Sequence, residues 1–300
     1  VHVRSPEPDA TPLIITHGWP STIADFQAIL EPLTDPRAHG GDPADAFHVV
    51  APSLPGYAFS GPTRGRGWGV NRTARAWAQL MSDLGYEHYA AHGGDFGSLI
   101  APELGRVAGE RVIGIHVNAL AFAAWPMSPD ERDILGQADR ERALDHERWW
   151  HGRSGYMHEM STRPQTIAYA LNDSPVGQLA WNAEWFVDYD PTATKHTAID
   201  RGAILTDVTI YWLTKTAGSA ARLYFEAAAE LPTARPSPSG IPTAVANFPG
   251  DHAIQDLARR SHAITHWREY DRGGHFPALQ APELLVADIR EFFRSLAGKS

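Results

Sequence analysis

The chain has 300 residues, 43% of them hydrophobic and 20% charged, enough for the core of one α/β domain carrying an insertion. A formal net charge of -9 argues against nucleic acid or an anionic membrane as the main partner and leaves a small molecule as the default ligand. The absence of cysteine excludes a disulfide framework, a thiolate nucleophile and a cysteine-ligated metal, and fits a reducing cytoplasm.

The chain opens in an apparent strand, Val1-His2-Val3, with neither an initiator methionine nor a signal-peptide pattern, so a preceding segment is expected. Strand-like and helix-like runs then alternate: strands at Pro12–Thr16, Phe47–Ala51, Tyr86–Ala91 and Val112–Val117, helices at Ile23–Leu33, Thr73–Leu84 and Leu99–Val107. Such alternation predicts a mostly parallel sheet flanked by helices. From Ala121 to Leu231 it gives way to helix formers and aromatics, including Trp125, Trp149, Trp150, Trp181, Trp185 and Trp212, which is the pattern of an inserted helical lid over an apolar, aromatic-accepting pocket. A proline-rich stretch, Pro232–Pro242, returns the chain to strands at Thr243–Asn247 and Ile264–Tyr270 and to an amphipathic closing helix, Pro282–Leu296. The expected division is a core of residues 1–120 and 235–300 with residues 121–234 as the lid. No apolar stretch approaches the roughly 18 residues of a membrane span.

The most informative segment is Gly93-Gly94-Asp95-Phe96-Gly97-Ser98, between a predicted strand and a predicted helix. Glycines two positions either side of Asp95 let strand and helix approach closely, and the strained turn pushes the central side chain toward a pocket. An aspartate there is already anionic at neutral pH, so its natural target is a saturated carbon bearing a leaving group, and the product is an ester of the enzyme. A helix-capping aspartate is the simpler alternative.

An ester on Asp95 needs activated water to release it, and His275 in Asp271-Arg272-Gly273-Gly274-His275-Phe276, after the last strand, is the candidate base among 15 histidines. Asp251, in Phe248-Pro249-Gly250-Asp251 after the penultimate strand, is the candidate acid to orient it, with Asp256 as a rival and a turn aspartate as the alternative. Asn118, after the strand ending near Val117, offers no carboxylate. Thr16-His17-Gly18-Trp19-Pro20 follows the first strand, where the N–H groups of Trp19 and Phe96 would form an oxyanion hole and His17 would brace the loop.

In this order, HGWPST (His17 to Thr22), APSLPGYAFSGP (Ala51 to Pro62), GGDFGS (Gly93 to Ser98), GYMHEMSTRPQT (Gly155 to Thr166), ALNDSPVG (Ala170 to Gly177) and DRGGHF (Asp271 to Phe276) resemble the epoxide hydrolases of the α/β-hydrolase superfamily, in the branch of the microsomal and juvenile-hormone enzymes and their bacterial relatives. The resemblance implies the α/β-hydrolase fold, opening of an epoxide to a vicinal diol, and two lid tyrosines, Tyr156 and Tyr224, that donate hydrogen bonds to the epoxide oxygen. A phenol with a pKa near 10 is protonated at pH 7 and suits that role. Without the resemblance either tyrosine reads equally well as packing. Trp19, Phe96, Trp125 and Trp181 are the expected substrate-contacting residues. Members of this branch carry some tens of residues ahead of the point where this chain starts, and many mammalian relatives have Glu where this chain has Asp251. The resemblance also implies apolar or aryl epoxides and a place in natural-product biosynthesis of the enediyne type.

A haloalkane dehalogenase shares nucleophile, base and acid, but cradles its halide with indole or amide N–H groups, often from a tryptophan after the nucleophile, where this chain has Phe96. A catalytically silent binding protein of the same fold is the reading from another class. Gly65-Arg66-Gly67-Trp68-Gly69 has the wrong spacing for a dinucleotide loop, and His158-Glu159 lacks the second histidine of a zinc motif. No cofactor or metal is expected. The expected partners are an epoxide and water, with a homodimer left open.

Overall fold

A computed structural model of the chain describes residues 1–120, 128–187, 197–230 and 237–297. The strands are β1 (His2–Val3), β2 (Thr11–Thr16), β3 (Phe47–Val50), β4 (Tyr89–Gly93), β5 (Val112–Asn118), β6 (Pro242–Asn247) and β7 (Ala263–Glu269). They form one sheet in the order β1-β3-β2-β4-β5-β6-β7, parallel except for β1, which runs antiparallel to β3. The predicted α/β fold with a mostly parallel sheet is therefore present. β4 starts three residues later than its apolar run suggested, because Gly85 (φ 84°) closes the preceding helix and residues 86–88 turn the chain into the sheet.

Three helices belong to the first half of the sheet: α1 (Gln27–Thr34), α2 (Val70–Asp83) and α3 (Gly97–Ala108). The segment Ile23–Phe26, predicted as the start of a longer helix, is instead a tight single turn capped by Thr22, whose hydroxyl accepts from the Ala24 N–H. Among the described residues seven helices lie between β5 and β6: α4 (Pro129–Asp133), α5 (Gln137–Arg153), α6 (Gly155–Thr162), α7 (Pro164–Asp173), α8 (Pro175–Phe186), α9 (Arg201–Thr214) and α10 (Ala217–Glu230). The chain closes with α11 (Gln255–Ala258), α12 (Pro277–Gln280) and α13 (Pro282–Ala297). Among the described residues no helix is long and apolar enough to cross a membrane.

Alternation along β2 explains why its middle, Leu13 to Ile15, is apolar without a break. Leu13 and Ile15 enter a core with residues of α1 and α13, whereas Ile14 enters the opposite core with Trp77, Met81 and Ile100. Both sheet faces are covered, so neither set of side chains can be polar at low cost. The second core also contains Met160, Tyr211, Leu223 and Tyr224, so the inserted helices share packing with the sheet. On the other face, fully buried Asp288 of α13 accepts from His116 Nε2 (3.1 Å) and from the Tyr270 hydroxyl, and His92 Nδ1 lies 3.0 Å from His116 Nδ1. Those contacts hold Asp288 ionised, well below the usual carboxylate range despite its burial.

Strand register sets the height of the loops at the carboxyl edge of the sheet. Thr16 pairs with Gly93, Gly93 with Val117, Asn118 with Ala246 and Asn247 with Glu269. The loops after β2, β4, β5, β6 and β7 therefore leave the sheet side by side. β2 lies between β3 and β4, so the chain order reverses there, and such a switch point opens a crevice for a ligand.

The turn after β4 depends on missing side chains. A Cβ at Gly93 would run into the Gly97 backbone, and one at Gly97 into the Thr16 carbonyl. Gly97→Ala is expected to destabilise the fold by about 1–3 kcal/mol through this overpacking, measured by urea unfolding. Wild-type stability in that variant would contradict the packing.

Candidate active site

Asp95 stands two residues beyond the end of β4 with φ of +50°, a left-handed conformation a non-glycine residue adopts only under local constraint. Its carboxylate is tethered from two directions. Oδ1 accepts from the Trp19 N–H at 2.9 Å, and Oδ2 lies 3.4 Å from His275 Nε2. Gly18 is required beside it, since a Cβ there would overlap the Asp95 side chain. Among the described residues the Phe96 N–H has no acceptor.

The loop bearing Trp19 is fixed by His17. Its Nδ1–H donates to the Gly18 carbonyl (2.8 Å) and its Nε2 accepts from the Leu54 N–H (3.1 Å). Both bonds together require the neutral ring, and burial lowers the pKa to about 4, in the same sense. His17 thus braces the loop, as its position suggested.

His275 reaches the site from the loop after β7, and its other nitrogen, Nδ1, lies 3.1 Å from Asp251 Oδ1. Asp251 is itself anchored: its Oδ2 accepts from the Ala119 N–H at 3.2 Å. The rival acid Asp256 is exposed on α11 and lies 3.8 Å from Arg259. Burial alone would lower the pKa of His275, but hydrogen bonds and attraction from Asp251 and then Asp95 outweigh it and raise the value to about 10. In this resting state the imidazole is a cation between two carboxylates.

Asn118 contributes what its lack of charge had hidden. Its amide donates to the His275 carbonyl (3.4 Å) and lies where a Cβ on Gly94 would go, so one side chain touches both the base loop and the turn carrying Asp95.

A carboxylate at the nucleophile turn, a second acid and a histidine, in this chain order on loops after successive strands, are the signature of one fold family. Residues 13–289 match the model of the alpha/beta hydrolase family. A provisionally named epoxide hydrolase of Stigmatella aurantiaca is 40% identical over the whole of this chain and 68% of its own length. Epoxide hydrolase 1 of Sus scrofa is 33% identical over 97% of this chain and 70% of its own length. The structure of the Aspergillus niger epoxide hydrolase superposes with a TM-score of 0.83 at 30% identity, covering 98% of this chain and 74% of that one. The chain belongs to the epoxide hydrolase family of α/β hydrolases.

The two tyrosines that the resemblance singled out, Tyr156 of α6 and Tyr224 of α10, lie beside Trp19 and Phe96, and Tyr156 lines the cavity above Asp95 whereas Tyr224 is buried behind it. The Tyr156 ring stacks on Trp19 at 5.2 Å, Tyr224 meets the edge of Phe96 at 4.8 Å, and the two tyrosine rings meet edge to face at 5.9 Å. Burial, reinforced by neighbouring negative charge including that of Asp95, raises both pKa values and keeps both phenols protonated.

A cavity of about 440 Å³ opens over Asp95 and His275, in the size range of small-molecule pockets. Trp19, Trp149, Tyr156, Trp185, Phe186 and Phe276 provide its aromatic walls. Two expected contacts are corrected here. Trp181 of α8 packs against the core that the sheet and the inserted helices share, and Trp185, one turn further along α8, lines the cavity instead. Phe96 is buried against Tyr224 and does not line it. Trp125 lies outside the described residues. Among the described residues no cluster of metal-ligating side chains occurs.

The charge arrangement has a pH consequence. Because the folded pKa of His275 is raised to about 10, its stabilising contribution is complete below the unfolded value of about 6.5 and is lost as pH rises through the folded value. Asp95→Asn removes one of the two anions, so the imidazole pKa should fall, measured by NMR titration of the His275 ring. An unchanged pKa would show that Asp95 does not hold the proton.

Proposed function

We propose that this chain hydrolyses an epoxide to a vicinal diol in two steps through an ester on Asp95. In the first, an Asp95 carboxylate oxygen attacks one epoxide carbon from behind. The carbon–oxygen bond breaks, and the developing alkoxide takes a proton from the Tyr156–Tyr224 pair. The product is a hydroxyalkyl ester, and Asp95 has lost its charge.

That loss changes His275. With one of its two anionic neighbours gone, the imidazolium holds its proton less tightly and releases it through solvent to restore the phenol. The neutral ring, still oriented by Asp251, then takes a proton from water as that water adds to the ester carbonyl. The N–H groups of Trp19 and Phe96 stabilise the oxyanion, at roughly 3 kcal/mol per donor in other hydrolases. Collapse of the adduct passes a proton to the departing diol oxygen and regenerates the Asp95 carboxylate.

The observation that carries this reading is the position of His275 Nε2, 3.4 Å from Asp95 Oδ2 with Asp251 behind it, beneath a cavity that Tyr156 also lines. The helices between β5 and β6 act as the lid of that cavity, which makes the division into core (residues 1–120 and 235–300) and lid (121–234) part of the proposal. The aromatic walls favour apolar or aryl epoxides, and a role in secondary metabolism would follow from such a substrate. A cytoplasmic setting, in line with the cysteine-free composition, belongs to the same reading.

His275→Gln is expected to stall after the first step, with a mass increase on the Asp95 peptide equal to one substrate molecule. A substrate-treated variant with no adduct would overturn the scheme. Asp95→Ala should show neither adduct nor turnover. Tyr156→Phe and Tyr224→Phe should slow ester formation by roughly 10²-fold or more while leaving ester hydrolysis near wild type, resolved by single-turnover kinetics. Unchanged ester formation in both would remove the tyrosines from the mechanism.

A further inference from the structure

Two carboxyl groups that the proposed reaction does not use face each other between the Trp19 loop and the lid. Asp25, in the single turn after Thr22, is 4% exposed, and Asp207, in α9, is 1% exposed. Among the described residues neither is ion-paired, and both are within hydrogen-bonding reach of each other. Counted as carboxylates, each has one buried oxygen with no donor, Oδ1 of Asp25 and Oδ2 of Asp207. Two adjacent buried anions would repel strongly, and two orphaned buried acceptors would each cost free energy. One proton between the two oxygens removes both problems.

We propose that Asp25 and Asp207 share a single proton, and that this acid–carboxylate bond fastens α9 of the lid to the loop carrying Trp19. The surrounding bonds fit that role. The Thr22 hydroxyl donates to the other Asp207 oxygen while accepting from the Ala24 N–H, and one turn along α9 the Tyr211 hydroxyl donates to the Ser21 carbonyl at 3.0 Å. α9 is thus fixed to residues 21 to 25, immediately after the Trp19 N–H that holds Asp95.

The other titratable groups facing this region are Tyr211 and Tyr57, both raised by burial, Asp95 beyond them, and His17, which is buried and neutral. Burial and mutual repulsion raise the affinity of the pair for its proton. The folded state therefore binds more protons than the unfolded chain above the ordinary carboxylate range near pH 4, and this contribution to stability falls as pH rises to the pair's own raised value. Loss of the proton to hydroxide leaves two facing anions and releases the fastening.

The test uses the intact chain and infrared spectroscopy with hydrogen exchange across a pH series. Wild type should show the carbonyl band of a protonated carboxylic acid at neutral pH, and in alkali the band should vanish while the protection factors of the amides in Arg201–Thr214, taken relative to the base-catalysed rate of an open chain at each pH, fall at least tenfold. Asp207→Asn donates permanently from its amide to Asp25, so it should lack the band and keep its protection factors over the same range. Absence of the acid band from neutral wild type would overturn the proposal, and that measurement needs no variant to fold. Equal alkaline opening in wild type and Asp207→Asn would overturn it as well.

Discussion

An ionised carboxylate held at the tip of a strained turn is the constraint on which the rest of the site depends. Asp95 adopts a left-handed backbone, and its charge is met by the Trp19 N–H on one oxygen and by imidazolium on the other. Each partner comes from a different loop, so the site exists only if several strands end at matching heights. The parallel register across β2, β4, β5, β6 and β7 supplies that match. The glycines at 18, 93, 94 and 97 follow from the same requirement, since a side chain at any of them would occupy space taken by Asp95, Asn118 or backbone.

Electrostatic coupling then links the two proposed steps. Two anions raise the His275 pKa in the resting site, and esterification of one withdraws part of that support. The histidine is therefore an unsuitable base while Asp95 is free and becomes a better one after Asp95 has reacted. The phenol groups are controlled in the opposite sense: burial and nearby negative charge hold their protons until an alkoxide appears. One charge change thus alters proton affinity on both sides of the cavity.

Much of this was legible in the sequence, for identifiable reasons. Glycine spacing around Asp95 reports a close backbone approach, and the positions of Asp251 and His275 after successive late strands report the order in which loops meet above a parallel sheet. Other features have no local signal. Trp181 and Trp185 share one side of α8, but a helical turn separates them by about 6 Å along the axis, and that height decides which one meets the cavity. Asn118 could be read only as the lack of a carboxylate, because its use depends on loops distant in sequence. Asp288, His116, Asp25 and Asp207 look like surface residues by type, and their burial becomes intelligible only once the packing that supplies their partners is known. Asp288 also shows why amphipathic patterning misleads at such positions, since a helix can bury a charge when the sheet beneath it offers histidine and tyrosine donors.

The central claim is that Asp95 forms and then loses a covalent bond to substrate, and the fate of the oxygen atoms tests it most directly. A single turnover in heavy-oxygen water, with enzyme in excess, should place the label in the Asp95 carboxylate and leave the first diol unlabelled, because water attacks the ester carbonyl and the diol keeps an oxygen from Asp95. Label in the first diol with none in the Asp95 peptide would mean that water attacks the epoxide directly, and would contradict the account.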